Sequence, residues 1–214
     1  MRVLEARNYC DCGRLRDGTS VCVRAVRPDD KRLLTAEFAR LSRDSIYLRY
    51  FYAKKELSEE ELVSLTEVDF VHRIVLVGTI IEHGDERVIG VGRCVALDKD
   101  PTHAEVAFII ADDFQGCGLC TMLLRHLADV AHGNAISTFE GEMLEENRHM
   151  LNVLTRSSFS IVAETESGVT HVSFPISEHP AVASDRLEAG LQTPHLPPPR
   201  LYSTPRSKSG VQAL

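Results

Sequence analysis

The sequence predicts a mixed α/β domain, with one central, mostly antiparallel sheet flanked by helices and partly splayed in its middle. Three observations carry that reading. Two helix-period segments come early, over residues 28–41 and 44–51. A long strand pair follows, Arg73 to Ile81 and Glu86 to Ala96, turning through Glu82 to Asp85. A strand–helix–strand unit then sits in the middle of the sheet, between residues 102 and 144.

Each element has a local reason. Leu15 to Val21 reads as a small hairpin turning on Asp17-Gly18, and Val21 to Val26 alternates as a half-buried strand does. Pro28, Asp29 and Asp30 occupy the first turn of a helix whose apolar residues are Leu33, Leu34, Phe38 and Leu41. A second helix, Asp44 to Phe51, brings Tyr47, Tyr50 and Tyr52 close together. Ser58-Glu59-Glu60-Glu61 is a capping box opening a third helix through Leu62 and Leu65. Pro101 ends the connection after the long hairpin, and Thr102 to Ala111 forms the next strand. Ile136 to Leu144 is a further strand, and Glu145-Glu146-Asn147 opens a helix through Leu151 and Leu154. Phe159 to Glu164 and Val169 to Phe174 close with a hairpin around Ser167-Gly168.

The 214 residues suit one domain with appendages: an N-terminal extension, 1–14, a domain, 15–176, and a tail, 177–214. That tail holds six of the nine prolines and few apolar residues, so it cannot offset its ordering entropy and is expected to be flexible. Twenty-four basic against 31 acidic residues leave a charge of −7, which argues against a nucleic-acid partner and favours a cationic one, such as an amine. No run approaches the roughly 18 apolar residues of a membrane span, and Met1 to Cys12 has no apolar signal core. Cys10, Cys12, Cys22, Cys94, Cys117 and Cys120 therefore read as reduced thiols in a cytoplasm. Neither the cysteines nor the nine histidines show metal-ligand spacing, so no metal is expected. The oligomeric state is left open.

The most informative stretch is Ala104 to His132. An apolar strand runs into Asp112-Asp113-Phe114, crosses the step Gln115-Gly116-Cys117-Gly118 and becomes an amphipathic helix carrying Leu119, Met122, Leu123, Leu127, Val130 and Ala131. A helix start left open by glycines presents backbone N–H groups and the positive end of the helix dipole, a seat for phosphate or diphosphate. At Gly116 and Gly118 a Cβ would hold such an anion off the backbone. A dinucleotide fingerprint would need a third glycine where Thr121 stands. Cys117-Gly118-Leu119-Cys120 also reads as a C-x-x-C at a helix start, a thioredoxin-like arrangement with lowered thiol pKa values.

This block resembles the diphosphate-binding motif of the GNAT superfamily of N-acetyltransferases: Gln or Arg, two residues, Gly, one residue, then Gly or Ala. Here it reads Gln115, Gly118, Cys120, and Cys120 departs from the small residue expected last. Val26-Arg27-Pro28-Asp29-Asp30, Ala39-Arg40-Leu41-Ser42, Arg49-Tyr50-Phe51, Leu65-Thr66, Ala104-Glu105-Val106-Ala107-Phe108 and Glu146-Asn147-Arg148 extend the likeness. They are similar to the bacterial protein-lysine acetyltransferase branch, over roughly Leu15 to Ile176. The resemblance implies a GNAT fold and direct acetyl transfer from acetyl-CoA to an amine, without an acyl-enzyme. The preferred acceptor is a protein lysine; a polyamine or amino sugar is the alternative, and so is a catalytically quiet acyl-CoA-binding module.

The resemblance also distributes roles. Backbone at Ala107, Phe108 and Ile109 would pair the pantetheine arm like an added strand, and Gln115 through Cys120, including Cys117 and Leu119, would hold the diphosphate. Asn147 would reach the pantetheine arm, although it also suits helix capping. Arg156 would meet the 3′-phosphate, but nine residues beyond Asn147 it falls on the opposite helix face. Thr155 stands where many relatives carry an acidic tyrosine, leaving solvent or Ser157 to protonate the thiolate. An attacking lysine must first lose a proton, because an ordinary lysine ammonium has a pKa of about 10.4. Glu105 is the base, at a strand edge where partial burial would tune a carboxylate for that work. Glu82, Glu140 and Glu142 stand in reserve. Tyr47, Tyr50 and Tyr52 could wall the acceptor channel, with core packing expected for at least two. A disulfide between Cys117 and Cys120 would distort the diphosphate seat.

Overall fold

A computed structural model of the protein describes residues 6–176. The proline-rich tail expected over 177–214 lies outside the described residues. Eight strands, β1 (Cys10–Arg14), β2 (Ser20–Ala25), β3 (Arg73–Glu82), β4 (Asp85–Ala96), β5 (His103–Ile110), β6 (Thr138–Leu144), β7 (Val162–Glu166) and β8 (Val169–Pro175), form one sheet in the order β1-β2-β3-β4-β5-β6-β8-β7. The helices are α1 (Lys31–Phe38), α2 (Arg43–Tyr50), α3 (Glu59–Thr66), α4 (Leu119–His132) and α5 (Arg148–Thr155). Among the described residues no helix is long and apolar enough to cross a membrane.

The amino-terminal hairpin begins earlier than its pattern suggests. β1 is exposed along its whole length, so no burial periodicity marks it, and its ladder with β2 holds it in place. That ladder sets Cys12 directly opposite Cys22, and the two are joined as a disulfide. The expectation of six reduced thiols is thereby corrected: cross-strand register, invisible in the spacing, brings one pair into bonding distance. Capping is as the sequence reads. Ser58 Oγ accepts from the Glu61 N–H at 3.2 Å and the Ser58 N–H donates to Glu61 Oε2 at 2.8 Å.

Helix α4 packs across β3, β4 and β5 through Leu119, Leu123 and Leu127, all fully buried. Each contributes about 1.5–3 kcal/mol by leaving water. The sheet beneath is hollowed to receive them. A Cβ on Gly78 would stand 2.8 Å from Leu119 Cδ1, and one on Gly90 would stand 2.9 Å from both Leu119 Cδ2 and Ile110 Cδ1. Glycine thus lets the helix settle close without displacing the Leu119 and Ile110 methyls.

Every neighbouring strand pair is antiparallel except β5 and β6. That parallel pair holds only three matches, His103 with Thr138, Ala104 with Phe139 and Glu105 with Glu140. Beyond Glu105 the strands part: β5 continues to Ile110 against β4 alone, while β6 continues against β8. The splay leaves the β6-facing backbone of Ala107 to Ile109 without a strand partner.

A buried ion pair fastens the first helix to the sheet. Arg24 Nη1 and Nη2 donate to the two Asp30 carboxylate oxygens at 2.7 Å each, with both side chains 4% exposed. Arg24 also reaches Glu86 at 2.9 Å, and Asp30 accepts the Arg27 N–H at 2.7 Å. Removing one partner of such a pair strands the other charge in the interior. Asp30→Ala is expected to lower stability by roughly 3–5 kcal/mol, read from urea unfolding midpoints. An unchanged midpoint would contradict this.

Candidate active site

The step between β5 and α4 forms because two glycines take left-handed backbone. Gly116 has φ 75° and Gly118, the N-cap of α4, has φ 96°, a region where any side chain is strained. Nothing lies within 4 Å of a Cβ built on Gly116, so conformation rather than crowding fixes glycine there. No side chain caps α4, which leaves its first N–H groups without an acceptor. These residues line a cavity of about 240 Å³. Phe108, Ile109, Gln115, Gly116, Gly118, Leu119, Cys120, Asn147 and Arg156 all lie on its wall; Ala107 and Cys117 do not.

Two cations of this cavity, Arg16 and Arg49, were not assigned to it from the sequence. Arg16, on the β1–β2 turn, packs over Gly118, with its Nε 3.4 Å from where a Cβ would be. Its backbone N–H donates to the Cys117 carbonyl at 2.9 Å, tying the turn to the glycine step. No local pattern announces a contact between segments so far apart in the chain. Arg156 also reaches the cavity, because it continues the α5 face of His149, Asn152 and Val153 that lines it, whereas Asn147, the reference for its expected phase, is the non-helical N-cap. Asn147 accepts the Met150 N–H at 3.0 Å, so it caps α5 while lining the cavity.

Across the splay lies a second space of about 710 Å³, walled by Glu105, Glu140, Glu142, Glu164, Ala107 and His171 among others. Adjacent strands present these carboxylates in register, Glu105 beside Glu140 and Glu142 beside His171. Glu105 is 55% exposed and 3.7 Å from Arg93, so the partial burial expected of it is absent; β5 is open to solvent where the strands part. Glu140 meets His103 Nδ1 at 2.5 Å and Glu142 meets His171 Nδ1 at 3.3 Å. Glu82 lies on none of the cavity walls and is held by Arg87 and Arg40, which keep its carboxyl below the usual range. Among the tyrosines, Tyr50 lines the groove, whereas Tyr47 and Tyr52 are 44% and 53% exposed. Core packing for two of the three is thus corrected, because Tyr47 faces outward from α2 and Tyr52 lies beyond its end.

Residues 20–160 match the acetyltransferase (GNAT) domain family. The chain belongs to the GNAT acetyltransferase family. It is 32% identical over 145 residues to an acetyltransferase of Pseudomonas aeruginosa, covering 68% of this chain and 77% of that protein. It is 30% identical over 142 residues to acetyltransferase Pat of Mycolicibacterium smegmatis, covering 66% of this chain and 42% of that longer protein. The GNAT domain of Streptomyces lividans PAT superposes with a TM-score of 0.71 at 31% identity, covering 78% of this chain and 96% of that one. A Salmonella typhimurium putative acetyltransferase shares the fold at 16% identity, with a TM-score of 0.58 over 74% of this chain and 95% of its own. The mixed, splayed sheet expected from the sequence is therefore that of a GNAT-type N-acetyltransferase.

Two features depart from the sequence reading of the GNAT motif. Cys117 and Cys120 are both free thiols, and both are raised rather than lowered. Burial pushes Cys120 up to about 12; burial and then the Asp17 carboxylate raise Cys117. The direction is opposite to the lowering expected of thiols at a helix start, because burial disfavours the charged thiolate. Secondly, Thr155 Oγ1 donates to the Leu151 carbonyl at 2.9 Å and Ser157 Oγ to the Leu154 carbonyl at 2.5 Å. Neither lines the cavity.

Gln115 serves architecture. Its amide donates to Ser45 Oγ at 2.9 Å, Asp112 at 3.1 Å and the Ile110 carbonyl at 3.3 Å. Asp112 also accepts from the Ser42 N–H and the hydroxyls of Ser42 and Ser45, pinning the start of α2 to the glycine step. Burial pushes the Asp112 carboxyl up, but the bonds from Ser45 and Ser42 together hold it below the usual range. A carboxyl depressed in the fold stabilises fully above its unfolded value of about 3.9 and progressively less as pH falls through the folded value. Asp112→Asn is expected to be less stable than wild type near neutrality, with the difference shrinking below about pH 4. Urea midpoints measured across that range check it; a difference independent of pH would contradict it.

Proposed function

We propose that this acetyltransferase moves the acetyl group of acetyl-CoA directly to the ε-amine of a protein lysine. The observation that carries the reading is the splay. It sets a cation-lined cavity and a carboxylate-lined groove on either side of the unpaired β5 backbone. The Gly116–Gly118 step, with Arg16 and Arg156 beside it, suits a diphosphate and a phosphate. The open edge at Ala107 to Ile109 suits the amide-bearing pantetheine arm. Membership of the GNAT acetyltransferase family supports acetyl-CoA as the co-substrate here, and the Salmonella typhimurium protein that shares the fold has acetyl-CoA as its cofactor.

The groove supports the acceptor. Glu105, Glu140, Glu142 and Glu164 set up a negative field that draws an ammonium group. A broad groove of about 710 Å³ receives a lysine standing on a protein surface more readily than it encloses a small amine. Mycolicibacterium smegmatis Pat and Streptomyces lividans PAT are the relatives that point the same way. Glu105, exposed at the mouth of the splay, takes the ammonium proton directly or through a water. The neutral amine attacks the carbonyl carbon, the C–S bond breaks, and the thiolate takes its proton from solvent. Thr155 and Ser157 stand outside the cavity, so neither is that acid.

Incubation of the full chain with labelled acetyl-CoA and a cell lysate tests the acceptor: label should enter protein, and label confined to small amines would overturn that choice. Glu105→Gln should bind acetyl-CoA as wild type does while thiol release falls about 10²–10⁴-fold; an unchanged rate would remove Glu105 from the mechanism. Arg16→Ala should weaken CoA about tenfold or more, the loss of one charge-assisted bond, with kcat maintained. Equal calorimetric affinities for both proteins would exclude Arg16 from the diphosphate site.

A further inference from the structure

Arg49 stands in the last turn of α2, where the three spaces around the sheet meet. It lines the cofactor cavity, the carboxylate groove and a small apolar pocket of about 50 Å³ between the helices and strands β4 and β5. No other described residue is common to all three, and none other is common to the cavity and the groove. Its guanidinium lies over the Tyr50 ring, 5.1 Å from the centroid. Among the described residues it has neither a hydrogen bond nor an ion pair, although carboxylates are near. Glu105 leans instead to Arg93 at 3.7 Å, and Glu61 to Lys54 at 2.8 Å.

The surroundings sharpen the point. Burial lowers the Arg49 pKa, and Arg93 lowers it further against the pull of Tyr50 and Glu105. Arg93 Nε is itself buried without a partner. Arg49 and Arg93 thus flank the one exposed Glu105 carboxylate, which pairs with Arg93 and leaves half-buried Arg49 without a counter-ion among the described residues. A half-buried cation without a counter-ion costs stability, so its retention at a cavity wall suits a ligand that supplies the missing negative charge. In a direct transfer the reacting carbonyl must be reachable from the cavity that holds its CoA arm and from the groove that admits the amine. Arg49 alone borders both.

Taking the proposed acetyl-CoA chemistry as given, we propose that Arg49 is a catalytic residue: its guanidinium donates to the thioester carbonyl oxygen and stabilises the oxyanion formed on attack. The amine lone pair makes the C–N bond as the carbonyl π pair moves onto oxygen, against Arg49. That pair returns as the C–S bond breaks and CoA departs as thiolate. The first ammonium proton has gone to Glu105, and the remaining excess nitrogen proton passes through solvent to the thiolate. A charged donor in a water-poor site favours the oxyanion over the ground-state carbonyl, so its effect falls on kcat.

The test follows the carbonyl itself and needs no acceptor. Acetyl-CoA labelled with carbon-13 at the carbonyl is bound to the full chain, and its isotope-edited infrared band is compared with that of the free thioester. In wild type the band should lie at lower wavenumber than in solution; in Arg49→Gln it should return to the solution position, and in Arg49→Lys it should fall between. With an acceptor lysine, Arg49→Gln should lose about 10²–10³ in kcat at little cost in KM for acetyl-CoA. A bound band equal in wild type and Arg49→Gln overturns the inference while leaving acetyl-CoA binding intact. A wild type that binds no acetyl-CoA overturns the functional reading on which it rests. Arg49→Gln keeps the length and most of the packing of the side chain, so a fold defect in Arg49→Ala does not blunt the comparison.

Discussion

β5 and β6 run parallel for three register pairs and then separate, and the arrangement of the site depends on that parting. Gly141 in β6 marks the point of divergence: a Cβ there would lie 3.3 Å from the Val106 carbonyl oxygen, a tight contact, so glycine eases the strands' close approach before they part. A backbone edge opened inside a sheet is costly unless something pairs it, which makes the gap a place for a ligand with its own amides. The glycine step lies at the far end of that strand, and the carboxylates lie along its near end.

Holding the gap open requires rigid flanks. Asp112, Ser42, Ser45 and Gln115 fasten α2 to the glycine step on one side. The Cys12–Cys22 link stiffens the hairpin that carries Arg16 over Gly118 on the other. Beneath both, Gly78 and Gly90 let α4 sink into the sheet, which fixes the direction in which its first N–H groups point. Polar networks and apolar packing thus act on the same few residues from opposite faces. Arg49 is placed by this framework at the one position where cavity and groove share a wall.

Much of this was legible in the sequence wherever local chemistry decides structure. The capping box at Ser58 and Glu61, the amphipathic stripe of α4 and the glycine step all depend on near neighbours, and all are present as read. The hidden parts depend on register or on distant contacts. The Cys12–Cys22 disulfide needed the β1–β2 ladder, and β1 carries no apolar period to reveal one. Arg16 comes from a turn far from the step it covers. Thiol behaviour at Cys117 and Cys120 was misjudged because the dipole argument ignores burial and the Asp17 carboxylate. Glu105 was expected to be partly buried because an apolar strand suggests enclosure, whereas the splay exposes it.

The most direct measurement is a crystal structure of the full chain with acetyl-CoA. The account requires the diphosphate oxygens to accept from the amides of the Gly116–Gly118 step and the first turn of α4, at about 2.7–3.2 Å, with the pantetheine arm along Ala107 to Ile109. A cofactor held elsewhere, with β5 and β6 closed against each other over that edge, would contradict it.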